Sequence, residues 1–194
     1  MKIYYADITG SDEALAKYPP LSESHGSAWG VSLLAFAYAD YMGGALPRIA
    51  RTKLGKPFFE TEPQLHFSIS HSRTHVLVAL SSSPVGADTT DHRPIRPETV
   101  ASLTEPEDLH RFTFHQLWAL REAYFKLTGE GDLRTARFYI DHGRIKSPNP
   151  EVFCRLYPDI KDSSTAICSF ADNFPKRLIP VPIEKLLKEP SRLS

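Results

Sequence analysis

The chain reads as an α+β protein of two similar lobes, residues 1–97 and 98–194, each a helix on antiparallel sheet. Three observations predict this. Leu65, Phe67 and Ile69 alternate with His66, Ser68 and Ser70, the period-two pattern of a strand with one buried face. Further strand-like runs follow at 76–80 and 85–89, and the connections are too short for crossover helices, which favours antiparallel pairing. Each half also holds a long helical stretch beside its strands.

In chain order, a strand over 2–8 comes first, followed by a polar stretch with Pro19 and Pro20. A helix over about 27–41 is capped by Ser24 or Ser27 and stopped by Gly43 and Gly44. After turn-rich residues 54–57 come the three strands at 65–70, 76–80 and 85–89. Arranged as a meander, they bring Ser70, His71 and Asp88 to one sheet edge, about 9–10 Å apart across two strand spacings. The second half opens on Thr104-Glu105-Pro106-Glu107, a capping-box pattern with Pro in the first turn. One long helix or two consecutive ones lead to Lys126, and Gly129 and Gly131 end it. Strands at 136–140, 144–146, 152–156 and 165–170 and an apolar run at 179–183 follow.

Composition narrows the function. Hydrophobic residues make up 41% of the 194, enough to bury a core. Lys plus Arg and Asp plus Glu both number 23, so no basic excess points to general nucleic-acid binding. Cys154 and Cys168 lie in apolar, strand-like contexts without metal-ligand spacing. A disulfide is open to them, but free thiols in a reducing cytosol fit better. Residues 1–7 lack the apolar run of a signal peptide, and the most apolar window, 28–41, is too short to span a membrane. The expectation is a cytoplasmic monomer.

The most informative segment runs from Leu117 to Gly131. Leu117, Leu120, Tyr124 and Leu127 form one apolar helical stripe that must face a core. Trp118, Glu122 and Lys126 follow at steps of four on the other side. Spacing alone allows a solvated Glu122–Lys126 pair worth about 0.3–0.5 kcal/mol. Trp118 argues for more, because an indole on that face needs cover.

Here the chain resembles the 4′-phosphopantetheinyl transferases. Their pattern Trp-x-x-Lys-Glu-Ala-x-x-Lys followed by Gly-x-Gly is matched at Trp118, Glu122, Ala123, Lys126, Gly129 and Gly131, with Arg121 in place of the first Lys. Two more family blocks precede it in order: Gly55-Lys56-Pro57 followed by Phe67-Ser68-Ile69-Ser70-His71-Ser72, and Val85-Gly86-Ala87-Asp88. Length and final strands are similar to those of the larger, monomeric surfactin-type branch, which implies its two-lobe fold.

The resemblance implies Mg²⁺-dependent transfer of the 4′-phosphopantetheine arm of coenzyme A to a serine of an acyl or peptidyl carrier protein, releasing adenosine 3′,5′-bisphosphate. It implies Asp88 and Glu122 as metal ligands, with Glu122 also the base. Lys126 would neutralise phosphate charge and bind the cofactor. Ser70, His71 and Ser72 would meet the 3′-phosphate, with Lys56 near the nucleotide.

The chain departs from the family in two places. Thr90 stands where a second acid usually follows the Asp88 block; either a water replaces that ligand or a bulge brings in Asp91. Between Lys17 and Arg48 there is no Lys or Arg, although the family often places cations there for the 3′-phosphate. Of the residues nearby, His25 offers positive charge, and Arg48, Arg51 and Lys53 are candidates to take over. The rival reading is a non-catalytic relative that binds coenzyme A or a carrier protein. Retention of Asp88, Glu122 and Lys126 together favours the enzyme.

Overall fold

A computed structural model describes residues 1–24, 26–53, 55–129 and 133–187; Gly131 and His25 lie outside them. The chain begins with β1 (Lys2–Asp7) and α1 (Ser27–Met42), then a short hairpin of β2 (Ile49–Arg51) and β3 (Pro57–Phe59). Next come β4 (His66–His71), β5 (His75–Ser81) and β6 (Val85–Asp91). Three helices follow: α2 (Pro97–Leu103), α3 (Pro106–Leu109) and α4 (Phe114–Thr128). Strands β7 (Tyr139–Asp141), β8 (Arg144–Lys146), β9 (Phe153–Tyr157), β10 (Ser163–Ser169) and β11 (Ile179–Pro180) come next, and a turn of 3-10 helix at Ile183–Leu186 follows.

The architecture is α+β with predominantly antiparallel sheets. One sheet has the order β11-β1-β5-β4 and the other β6-β10-β9-β8-β7. Each draws strands from both sides of residue 97: β6 belongs to the second sheet and β11 to the first.

The meander is therefore corrected. β4 and β5 pair as expected, but the next place beside β5 is taken by β1, with Tyr4 opposite Val78. β6 instead crosses to β10, with Asp88 opposite Ala166. Short connections favour local hairpins, but period-two alternation carries no information about a strand arriving from the N-terminus.

Packing explains the pattern of burial. Phe67 and Val78 face α1, where they join Trp29, Leu33 and Leu34. Leu77 and Ala79 point the other way, onto Ala87 and Ile167 of the second sheet. Leu117, Leu120, Ala123 and Leu127 of α4 cover that sheet's far side with Ala166 and Cys168. The layers run helix, sheet, sheet, helix. Each fully buried Leu of α4 contributes roughly 1.5–3 kcal/mol, an upper figure because the unfolded chain is itself partly compact.

Helix ends differ from expectation in instructive ways. Gly26, not Ser24 or Ser27, is the N-cap of α1. The Glu13 carboxylate, from a turn of 3-10 helix, accepts from Gly26 N at 3.1 Å and Ala28 N at 2.7 Å. Ser27 Oγ is engaged by the backbone N–H groups of Leu21 and Ser22. The segment before α4 breaks twice, because Pro106 cannot continue a helix and holds the chain before it extended. Its capping box sits one residue later than read, between Glu105 and Asp108. The expected strand at 136–140 shortens to β7, and the run at 179–183 reduces to β11, which pairs in parallel with β1.

Cys154 and Cys168 oppose each other across β9 and β10 as free thiols, and burial pushes the Cys168 thiol well above its ordinary range. Among the described residues, no helix is long and apolar enough to cross a membrane.

One contact sets how closely helix and sheet meet. A Cβ added at Gly86 on β6 would lie 2.0 Å from Ala123 O and 2.6 Å from Leu127 N of α4. Both neighbours are backbone and cannot rotate away. Gly86→Ala is expected to cost more than about 3 kcal/mol, beyond the usual range for overpacking. Chemical denaturation measures it; a cost below 1 kcal/mol would mean that the helix is not held this close.

Candidate active site

The site grows from the contact of α4 with β6. A reciprocal capping box starts α4, with Thr113 Oγ1 accepting from Gln116 N and Gln116 Oε1 accepting from Thr113 N. Gly129, at φ 69°, ends it in the left-handed region, and its N–H donates to Phe125 O. With the Leu117–Leu127 stripe buried, Trp118, Glu122 and Lys126 stand half-buried on another side of the helix. Part of the cover Trp118 needs comes from Phe114, stacked on it at 6.2 Å and 8°.

Alternation along β6 aims the other carboxylate. Val85 and Ala87 enter the core between the sheets, so Gly86 and Asp88 face α4. Asp88 is 6% exposed. Lys126 Nζ lies 2.8 Å from Asp88 Oδ1 and donates also to Ala87 O at 3.2 Å. Ser70 Oγ donates to the same Oδ1 at 2.8 Å, and Thr90 Oγ1 to Oδ2 at 3.0 Å. The salt bridge of Lys126 thus crosses from α4 to β6 rather than closing one helical turn to Glu122.

Glu122 responds to this crowding. Burial raises its pKa above the ordinary carboxylate value, the Asp88 charge raises it further, and Lys126 offsets part of the rise. Thr90 shares a face with Asp88, as strand geometry requires. Asp91 turns away, accepting from Thr74 Oγ1 at 2.6 Å and Arg73 N at 3.0 Å. The β6–β10 register is continuous from Val85 to Asp91, so no bulge brings Asp91 to the site.

The other predicted residues spread over three places. Lys56 reaches the C-terminal end of α4, its Nζ 3.2 Å from Leu127 O, and burial lowers its pKa. It lines a cavity of about 660 Å³ with Lys53, Phe67, Phe125 and Lys126. His71 lies on the opposite face of β4 from Ser70, its Nε2 3.3 Å from Ser24 Oγ beside the start of α1. Ser72 belongs to the β4–β5 turn, where its Oγ accepts from Thr74 N and His75 N. Arg51 is tied to Leu21 O and Gly55 O, and Arg48 to Glu60.

The sequence reading missed two parts: the Glu13 cap on α1, for which no local signal exists, and the role of Ser70 beside Asp88. Chemically, the arrangement can neutralise an anion with Lys56 and Lys126, offer two carboxylates to a hard cation, and take up a proton at Glu122.

No family model matches the chain, but curated proteins do. It is 28% identical over 159 residues to the 4′-phosphopantetheinyl transferase ffp of Bacillus subtilis, covering 72% of this chain and 70% of that protein. It is 29% identical, with the same coverage, to the 4′-phosphopantetheinyl transferase Sfp of Bacillus subtilis strain 168. With the 4′-phosphopantetheinyl transferase gsp of Aneurinibacillus migulanus it shares 30% over 108 residues, 50% of this chain and 45% of that one. These matches to curated 4′-phosphopantetheinyl transferases, two of them over 72% of the chain, support an enzyme of that type.

The raised Glu122 pKa has a consequence for stability. The folded chain binds this proton more tightly than the unfolded chain, so the stabilisation is full below the ordinary value of 4.5 and is lost as pH rises through the raised one. Glu122→Gln removes that loss. Its melting temperature relative to wild type should be nearly unchanged at about pH 4 and higher at about pH 8. A difference independent of pH in thermal melts would contradict this origin.

Proposed function

We propose that the enzyme transfers the 4′-phosphopantetheine arm of coenzyme A to a serine of an acyl or peptidyl carrier protein, with Mg²⁺, releasing adenosine 3′,5′-bisphosphate. The observation that carries the reading is the convergence of Asp88, Glu122 and Lys126 where α4 rests on β6. The named activity of the related Bacillus proteins supports it.

The donor set fits magnesium. Asp88 and Glu122 are hard oxygen donors whose charges already interact, and Thr90 adds a hydroxyl on the same side. Magnesium is commonly held by one or two carboxylates, with waters completing its shell. Bound there by Asp88 and Glu122, the ion would supply positive charge to the diphosphate.

The chain's own groups do the rest. The acceptor serine Oγ forms a bond to the phosphorus bearing the pantetheine arm, and the P–O bond to adenosine 3′,5′-bisphosphate breaks. Glu122 accepts the hydroxyl proton, directly or through a water; its raised pKa makes it a better base than an ordinary carboxylate. Lys126 meets phosphate charge, and Lys56 borders the nucleotide in the cavity it lines. His71 meets the 3′-phosphate from beside α1; Ser70, on the other face of β4, does not share that task. Of the two lobes in this reading, residues 1–97 supply Asp88 from β6 and residues 98–194 supply Glu122 from α4, the two meeting where α4 covers the sheet that β6 joins.

The test is the intact mass of a panel of apo carrier proteins incubated with the enzyme, coenzyme A and Mg²⁺. The expected result is a gain of one phosphopantetheine on at least one carrier. It should fall about 10²–10⁴-fold in rate with Glu122→Ala and vanish with a chelator. No gain on any carrier, from protein that binds coenzyme A, would favour the non-catalytic relative instead.

A further inference from the structure

Ser68 and Ser70 lie on the same face of β4 and join it to the edge of β6, without a backbone ladder between the two strands. Ser68 Oγ accepts from Ala87 N at 3.0 Å and Ser70 Oγ from Thr89 N at 3.2 Å. Both serines are buried, 6% and 4% exposed. They differ in where the hydroxyl proton goes. Ser70 Oγ donates at 2.8 Å to Asp88 Oδ1, whereas Ser68 has no contact to a site carboxylate among the described residues.

We propose that Ser70 is a positioning residue that fixes the Asp88 carboxylate for Mg²⁺; this rests on the reading of Asp88 as a metal ligand. Ser70 is held at one end by the Thr89 N–H and grips Asp88 at the other. Thr90 holds the second oxygen. A carboxylate tied at both oxygens cannot rotate freely, so the lone pair left for a metal keeps one direction. Hydrogen-bond partners of metal-binding carboxylates set both orientation and basicity. Lys126 also bonds Oδ1, but its chain is long and flexible, whereas the short Ser70 side chain comes from a strand buried between helix and sheet. Ser68 makes the same kind of link to β6 without touching Asp88; because it also lines the cavity of Lys56, it serves as the control for the metal only with coenzyme A saturating.

The experiment is calorimetric titration of MgCl₂ into the enzyme saturated with coenzyme A, for wild type, Ser68→Ala, Ser70→Ala and Ser70→Thr. Loss of such an outer partner weakens metal binding about 10–100-fold. Ser70→Ala should show that loss, Ser68→Ala should stay within about twofold of wild type, and Ser70→Thr, which keeps the hydroxyl, should recover most of the affinity. In parallel, Ser70→Ala should require more Mg²⁺ for half-maximal rate while its KM for coenzyme A is unchanged. Equal Mg²⁺ affinity in the two alanine variants would overturn the positioning role and leave the metal reading intact. If the wild type itself takes up no Mg²⁺, the metal reading falls and the proposal with it. Should Ser70→Ala fail to fold, Ser70→Cys, which keeps the volume but donates weakly, is judged against Ser68→Ala by the same criterion.

Discussion

The absence of a side chain at Gly86 governs the geometry of the site. Because nothing projects from that point of β6, the backbone of α4 at Ala123 and Leu127 settles directly onto the strand. Two residues further along β6, Asp88 emerges on the same face. Groups on the helix meet it: Lys126, three residues after Ala123, by a 2.8 Å contact and Glu122, the residue before Ala123, through its field. A methyl group at Gly86 would push the helix outward, and a lysine that spans the gap now would fall short. Packing and chemistry are thus set by the same contact.

The charges gathered there are costly to bury. Asp88 is almost fully covered, and burial compounds the repulsion it exerts on Glu122. Three donors, from Ser70, Thr90 and Lys126, offset the cost for Asp88. Glu122 is left with a raised proton affinity, which disfavours the folded state at neutral pH but suits the proton-accepting role proposed for it. A cation between the two carboxylates would relieve both. On that proposal the site gives up stability for reactivity, as functional sites commonly do.

What the sequence disclosed follows physical lines. The α4 stripe of Leu117, Leu120 and Leu127 and the stop at Gly129 were legible, because helix periodicity and glycine caps are local. The alternation of β4 was legible for the same reason, but its Ser68–Ser70 face, polar in sequence, proved to be buried against β6. Which strand pairs with which was not: β1 displaced β6 from the side of β5, and no feature of 85–91 announces β10 as its partner. The same non-locality hid the Glu13 cap on α1, thirteen positions from Gly26. Asp88, Glu122 and Lys126 stood out as chemistry-bearing residues, but Lys126 was readable only as a neighbour of Glu122 one turn away. Its partner proved to be Asp88, 38 residues distant. Ser70 and His71 looked like one unit in sequence, yet strand alternation sends them to opposite faces.

The central claim is that Asp88 and Glu122, from different elements, bind one metal ion at the α4–β6 contact. Its most direct measurement is a crystal structure of the enzyme with coenzyme A and Mn²⁺, read by anomalous scattering. The account predicts a single strong peak in contact with carboxylate oxygens of both residues and with the diphosphate. A peak bound to one carboxylate alone, or a nucleotide whose diphosphate lies away from Lys126, would contradict it.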